Sequence, residues 1–97
     1  MKIYWSPLAV NRLEEIFEYI SKDDISAAEK LTAKIFEKIE SLATNPERGR
    51  KVPETDKADI REIFVGNFII IYRIEPGKIF ILTIRSFRQL LPENDFR

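Results

Sequence analysis

Residues 59–84, DIREIFVGNFIIIYRIEPGKIFILTI, decide the fold of this chain. They contain three runs rich in β-branched and aromatic side chains, which predict three strands: Asp59–Val65, Phe68–Ile74 and Ile79–Ile84. Gly66-Asn67 separates the first two runs, and Pro76-Gly77 separates the last two. Proline followed by glycine suits a type II turn, because glycine takes the positive φ that its second central position requires. Three consecutive strands with tight turns predict an antiparallel meander.

Two amphipathic helices are predicted before this meander. Ser6-Pro7 begins the first, since serine can cap a helix and proline at the first helical position loses no needed donor. A capping box of Ser26 and Glu29 is predicted to begin the second, which runs for about 18 residues until Asn45-Pro46 ends it. Apolar residues recur at spacings of three and four along both helices: Ala9, Leu13, Ile16, Phe17 and Ile20, then Ala28, Leu31, Ile35, Ile39 and Leu42.

The remaining elements complete an α+β fold. Lys2–Trp5 predicts a short opening strand, and Glu47–Lys57, with a proline, a glycine and many charged residues, predicts a loop. The order is therefore β-α-α-β-β-β, with the helix hairpin packed on a small, mainly antiparallel sheet. Ninety-seven residues are expected to form a single domain over residues 1–97.

Composition excludes several kinds of site. The chain has no cysteine and no histidine, so it lacks thiol nucleophiles, thiolate metal ligands and the commonest general base. We therefore expect no metal and no cofactor. The amino terminus has no signal-peptide pattern, and the longest apolar run, Phe68–Tyr72, is too short to span a bilayer, so a cytoplasmic protein without a membrane partner is expected.

Charge makes direct nucleic-acid binding the less favoured prediction. Sixteen basic and sixteen acidic side chains give a formal net charge of zero. Proteins that hold nucleic acid gain most of their affinity from phosphate contacts, so such a partner would need a local basic patch here.

Seven short segments, taken in order, resemble the RelE/ParE toxin superfamily over nearly the whole chain. They are Trp5-Ser6-Pro7, IFEYI (16–20), Asp24–Ala28, LATNPERGR (42–50), Val52-Pro53-Glu54, Ile60-Arg61-Glu62 and IIYR (70–73). The P-x-x-G-R loop and the I-R-E strand start are more similar to the ParE branch. The resemblance implies the toxin of a type II toxin–antitoxin system, of the kind that serves plasmid stabilisation, with a cognate antitoxin as partner.

The resemblance also frames the alternatives for activity. ParE-type toxins poison DNA gyrase by binding, whereas RelE-type toxins cleave mRNA on the ribosome. Ile69 stands where those nucleases carry an arginine, and Ser86 stands where many relatives carry a histidine, although Arg88 matches a common arginine. These positions favour a binding toxin without catalytic residues. A RelE-type endoribonuclease and a decayed member without toxicity stay as alternatives, and both a monomer and a homodimer fit the sequence.

Four arginines are the candidate contacts to a target or a phosphate: Arg61, Arg85, Arg88 and Arg50. The competing interpretation, which also covers Arg73, is that these arginines are solvated or paired with Glu62 and Glu75 across neighbouring strands. Tyr72 is predicted to be a core residue, because it shares a strand face with Phe68, Ile70 and Ile74. The carboxyl-terminal segment has large apolar residues that either fold back on the sheet or contact the antitoxin or target: Phe87, Leu90, Leu91 and Phe96.

Overall fold

The structure is a computed structural model that describes residues 1–53, 55, 57 and 59–86. Within these residues the chain forms a five-stranded sheet with the order β1-β5-β4-β3-β2. All neighbouring strands are antiparallel except β1 and β5, which run parallel. The strands are β1 (Lys2–Trp5), β2 (Arg50–Lys51), β3 (Ile60–Val65), β4 (Phe68–Glu75) and β5 (Lys78–Ser86). The predicted α+β class and mainly antiparallel sheet are confirmed.

Two helices, α1 (Pro7–Ser21) and α2 (Ile25–Ser41), form the predicted hairpin. Ser6 caps α1, since its Oγ accepts a hydrogen bond from the backbone N–H of Ala9 at 3.0 Å. The capping box predicted at Ser26 is wrong. Asp24 has an extended backbone, and its carboxylate accepts from the N–H of Ala27 at 3.0 Å, so Ser26 already lies in the first turn of α2.

The long connection after α2 contains two elements that the prediction of a loop omitted. Pro46–Arg48 forms a 3₁₀ turn, and β2 begins one residue later, after Gly49. β2 pairs with β3 in the register Arg50 to Glu62 and Lys51 to Arg61. A strand of two residues has no alternation to detect, which is why composition alone indicated only a loop.

The core lies between the helix hairpin and one face of the sheet. Ile70 and Tyr72 of β4 are fully buried there, with Phe68 and Ile74 partly buried against the same cluster, as predicted. The helices contribute Ala9, Ile16, Ile35 and Ile39 to this core, and Leu42, directly after α2, adds to it. Neither helix in the described part of the chain is long and apolar enough to cross a membrane.

A β-bulge in β5 links the sheet to the start of α1. Tyr72 pairs with Ile81 while its neighbour Ile71 pairs with Thr83, so Leu82 is the extra residue. The buried positions therefore change from Ile79 and Ile81 to Ile84 and Ser86. Ser6 Oγ donates a hydrogen bond to the carbonyl oxygen of Leu82 at 2.7 Å, which ties the helix cap to the bulge.

Candidate functional site

A loop after α2 docks on the sheet through the hydroxyl of Tyr72. We call residues 46–50 the docked loop. The Tyr72 hydroxyl donates to the carbonyl oxygen of Pro46 at 2.7 Å and accepts from the N–H of Gly49 at 2.9 Å. Burial raises the pKa of Tyr72, although the Gly49 N–H and the Arg61 charge oppose that rise. Tyr72 is the predicted core tyrosine, and it also fastens the loop.

Gly49 is the point of closest approach between the docked loop and the sheet. A Cβ at this position would lie 2.6 Å from the carbonyl oxygen of Glu62 and 2.6 Å from the Tyr72 hydroxyl. Real Cβ atoms do not approach other heavy atoms so closely. The glycine of the P-x-x-G-R motif is therefore required, because no side chain fits at this position.

Arg61 lies beneath the same loop. Its guanidinium donates to the carbonyl oxygen of Gly49 at 2.8 Å, and its cross-strand neighbour on β4 is Tyr72. Its Nε is buried and has no hydrogen-bond partner among the described residues. The candidate target contact at Arg61 is thus already engaged in holding the loop.

Arg50 and Glu62 form an ion pair across the β2–β3 ladder. Arg50 Nε donates to a Glu62 carboxylate oxygen at 2.7 Å, and the Arg50 guanidinium lies 5.3 Å from the centre of the Phe64 ring. The Glu62 side chain is only 5% exposed, whereas that of Arg50 is 62% exposed. The arginine is therefore the partner that compensates the buried carboxylate.

The sheet face opposite the helices, which we call the outer face, carries further cations. Arg73 is paired with Glu75 of the same strand at 2.8 Å, whereas the competing interpretation expected a pair across neighbouring strands. It also lies 5.4 Å from the centre of the Phe80 ring. Arg85 is exposed and forms no ion pair with the described residues. The other candidates lie outside the described residues: Arg88, Phe87, Leu90, Leu91 and Phe96.

A second feature is a groove between the second half of α2 and the end of β3. It has a volume of about 340 Å³. We call it the basic groove, because three cations line it together with apolar atoms of β3: Lys34, Lys38, Arg48, Phe64 and Val65. We did not predict this site from the sequence. The available signal was local charge, since residues 30–51 contain six basic and three acidic side chains.

The described residues provide little for catalysis or for a metal. They contain no group of three or more acidic, histidine or cysteine side chains that could hold a metal ion. The Tyr72 phenol makes two hydrogen bonds inside the fold and is fully buried. What the described site offers is a rigid loop, an outer face with aromatic and cationic side chains, and a basic groove, all of which suit binding.

Comparison with known proteins assigns the chain to a family. The family described as "ParE toxin of type II toxin-antitoxin system, parDE" matches residues 3–91. This chain belongs to the ParE toxin family. It is therefore a toxin of a type II toxin–antitoxin system, and the resemblance to the RelE/ParE superfamily is confirmed. A curated relative, the "Putative toxin Y4kP" of Sinorhizobium fredii, is 37% identical over 94 residues, which are 95% of this chain and 94% of the relative.

Solved structures confirm the fold of this ParE-family chain. The chromosomal ParDE system from P. aeruginosa aligns with a TM-score of 0.73 at 22% identity, over 89% of this chain and 95% of that one. The RelBE2 toxin–antitoxin complex from Mycobacterium tuberculosis gives 0.64 at 18% identity, over 88% and 95%. The YoeB dimer from Staphylococcus aureus gives 0.62 at 18% identity, over 89% and 95%. At these identities the likeness concerns the fold alone.

Proposed function

We propose that this ParE-family toxin arrests growth by binding a protein target and does not cleave RNA. The observation that carries the proposal is that two arginines of the central strands, Arg61 and Arg73, are already engaged within the fold. Arg61 holds the docked loop and Arg73 is paired with Glu75. A side chain committed to the fold is not free to bind a phosphate in a transition state.

RNA cleavage by attack of a 2′-hydroxyl makes two demands on a site. It needs cations at the pentacovalent phosphate and a group that removes the hydroxyl proton. Ile69 puts an apolar side chain on the outer face, and the Tyr72 phenol lies fully buried beneath the docked loop. The chain also has no histidine. A mechanism based on binding needs none of these groups.

The proposed target is DNA gyrase, and the proposed neutralising partner is a cognate antitoxin. The matching family is described by the parDE toxin–antitoxin pair, which supports the antitoxin. The resemblance to ParE-type toxins that poison gyrase supports the target. Two of the similar solved structures are described as a toxin–antitoxin system or complex. Because gyrase is an intracellular enzyme, the proposed place of action is the cytoplasm.

The decisive experiment is controlled expression of the toxin alone in bacteria, with the primary lesion scored before growth stops. Binding to gyrase predicts DNA breaks, an induced damage response and intact mRNA. It also predicts that the purified toxin inhibits supercoiling by purified gyrase. Rapid translation arrest with mRNA cut inside codons would overturn the proposal, and Arg85→Ala would then be the first variant to test. Normal growth with soluble toxin would support a member that has lost toxicity.

A further inference from the structure

The zero net charge of this chain conceals a strong separation of charge along the sequence. Residues 1–29 contain six acidic and three basic side chains, whereas residues 30–51 contain the reverse, six basic and three acidic. The second segment comprises most of α2, the docked loop and β2. The positive charge is therefore concentrated in the elements that form the basic groove.

The cations of the basic groove are not neutralised within the fold. Lys34, Lys38 and Arg48 form no ion pair with the part of the chain that the structure describes. Glu37 is the carboxylate among the lining residues. Three cations against one carboxylate leave a net positive wall, and such a wall attracts a negatively charged ligand.

The floor of the basic groove is apolar. Phe64, which is 38% exposed, and Val65 line it opposite the helix. A second cleft of about 310 Å³ continues from it past Arg48 to Arg50. A ligand that fits both clefts must carry negative charge and also bury apolar surface.

Peptide chemistry fits these requirements better than nucleic acid does. Specific nucleic-acid interfaces rest on many phosphate contacts over about 600–2,500 Å² of protein surface. The basic groove offers three lysine and arginine side chains around a small volume at the lower end of ligand pockets. A peptide that alternates carboxylates with aliphatic side chains can pair with the cations and also contact Phe64 and Val65.

We infer that the basic groove binds an acidic segment of the antitoxin in which carboxylates and apolar residues alternate. The inference rests on the proposed function, since it names the chemistry of the partner that neutralises the toxin. Carboxylates of the segment pair with Lys34, Lys38 and Arg48, and its apolar side chains cover the floor. Because these cations are exposed, the contact strengthens at low salt and weakens as salt screens it.

The first test measures peptide binding to the purified full-length toxin by fluorescence anisotropy. The probes are a labelled synthetic peptide of alternating glutamate and leucine, the same peptide with glutamine for glutamate, and a short single-stranded RNA. The glutamate peptide should bind in a salt-dependent manner, and Lys34→Glu/Lys38→Glu should weaken it by about tenfold or more at low salt. The matched control is Lys2→Glu/Lys22→Glu, which changes the net charge equally outside the groove, and the dissociation constant of this variant should stay within about twofold of wild type.

Three results of this test would overturn the inference. They are equal binding by the groove variant and wild type, an equal loss in the control variant, and preferential binding of the RNA or the glutamine peptide. Circular dichroism and thermal melting of each variant establish that it is folded. All four lysines are at least partly exposed, so the fold should survive these substitutions.

A second test separates failure of the inference from failure of the proposed function. The probe is the purified product of the gene adjacent to the toxin gene, titrated against each toxin variant. If that product does not rescue growth from the wild-type toxin, the proposed function has failed. If it rescues growth but binds the Lys34→Glu/Lys38→Glu variant as tightly as wild type, the function stands and the groove inference is overturned.

Discussion

At Gly49 the backbone of the docked loop lies against the sheet with no room for a side chain. An added Cβ would be 2.6 Å from both the Glu62 carbonyl oxygen and the Tyr72 hydroxyl. Neither atom can move freely, because the first belongs to a strand and the second makes two hydrogen bonds. The loop and the sheet therefore depend on each other through a few atoms, and single substitutions there test the arrangement.

Gly49→Ala should lower the free energy of unfolding by about 1–3 kcal/mol, the usual cost of forcing extra volume into a packed site. Urea unfolding followed by circular dichroism measures the change. Arg48→Ala is the matched control, because Arg48 is an exposed neighbour in the same loop and should change stability by about 0.5 kcal/mol or less. Equal stability of Gly49→Ala and wild type would contradict the close approach.

Tyr72→Phe removes one hydroxyl and leaves the Pro46 carbonyl and the Gly49 N–H without their partner. The free energy of unfolding should fall by about 1–3 kcal/mol, since leaving a buried polar group without a hydrogen bond costs that much. Thermal and urea unfolding at neutral pH measure it. A stability within error of wild type would mean that water replaces the hydroxyl and that the loop is not fastened by Tyr72.

The same residue should make stability depend on alkaline pH. Burial raises the pKa of Tyr72 above its ordinary value of 10.0, so the unfolded chain releases this proton at a lower pH than the folded chain does. The stabilisation is complete below pH 10.0 and is lost as pH rises through the folded-state pKa. Wild type should therefore lose stability more steeply than Tyr72→Phe above that pH, and parallel curves from urea unfolding would refute the shift.

At the scale of elements, the pattern of side chains predicted the helices and long strands but not the short ones. The bounds of β3, β4 and β5 lie within two residues of the predicted runs, because alternating apolar side chains mark them. β2 has two residues and no pattern, and its position is determined by contacts with Glu62 and Arg61 that are distant in sequence. Asp24 and Ser26 are both good caps, and backbone geometry decides between them.

The candidate site was predictable in a similar, partial way. The motif residues Gly49, Arg50 and Arg61 stood out in the sequence, but their mutual contacts depend on the docking of the loop on β3. A carboxylate partner for Arg73 was expected across a neighbouring strand, but the partner is Glu75, two residues along β4, where strand alternation puts both side chains on one face. The basic groove was missed, since it forms between α2 and β3 and no single segment contains it.

The attachment of β2 to β3 should depend on the Arg50–Glu62 pair. Arg50→Ala leaves a nearly buried carboxylate without its partner and should lower the free energy of unfolding by about 1–2 kcal/mol. This loss is smaller than for a fully buried pair, because Arg50 is largely exposed. Adding Glu62→Gln should recover part of that loss, which a double-mutant cycle measures. Arg73→Ala is the control, since its pair with Glu75 is partly exposed and should contribute about 1 kcal/mol or less.

At the scale of the whole molecule, two properties distinguish a binding toxin from an enzyme. They are the distribution of positive charge and the number of arginines that are free of contacts within the fold. The chain balances its charges overall yet concentrates positive charge around one groove, and most of its strand arginines serve the fold. A toxin that works by binding needs extended contact surface, whereas a nuclease needs a few groups placed around one phosphate. The two mechanisms therefore respond differently to truncation and to point substitution.

Deletion of residues 90–97 should reduce toxicity more than Arg88→Ala does if the toxin acts by binding. The deletion removes Leu90, Leu91 and Phe96, whose large apolar side chains gain free energy when a partner covers them. A nuclease would instead lose activity with Arg88→Ala, because removing one charge-stabilising group lowers such rates by about a hundredfold or more. Growth under graded induction measures both variants, with expression level and thermal stability matched to wild type. If Arg88→Ala is not toxic while the truncated chain still is, the toxin acts by RNA cleavage. If the truncated chain is not toxic while Arg88→Ala still is, the toxin acts by binding.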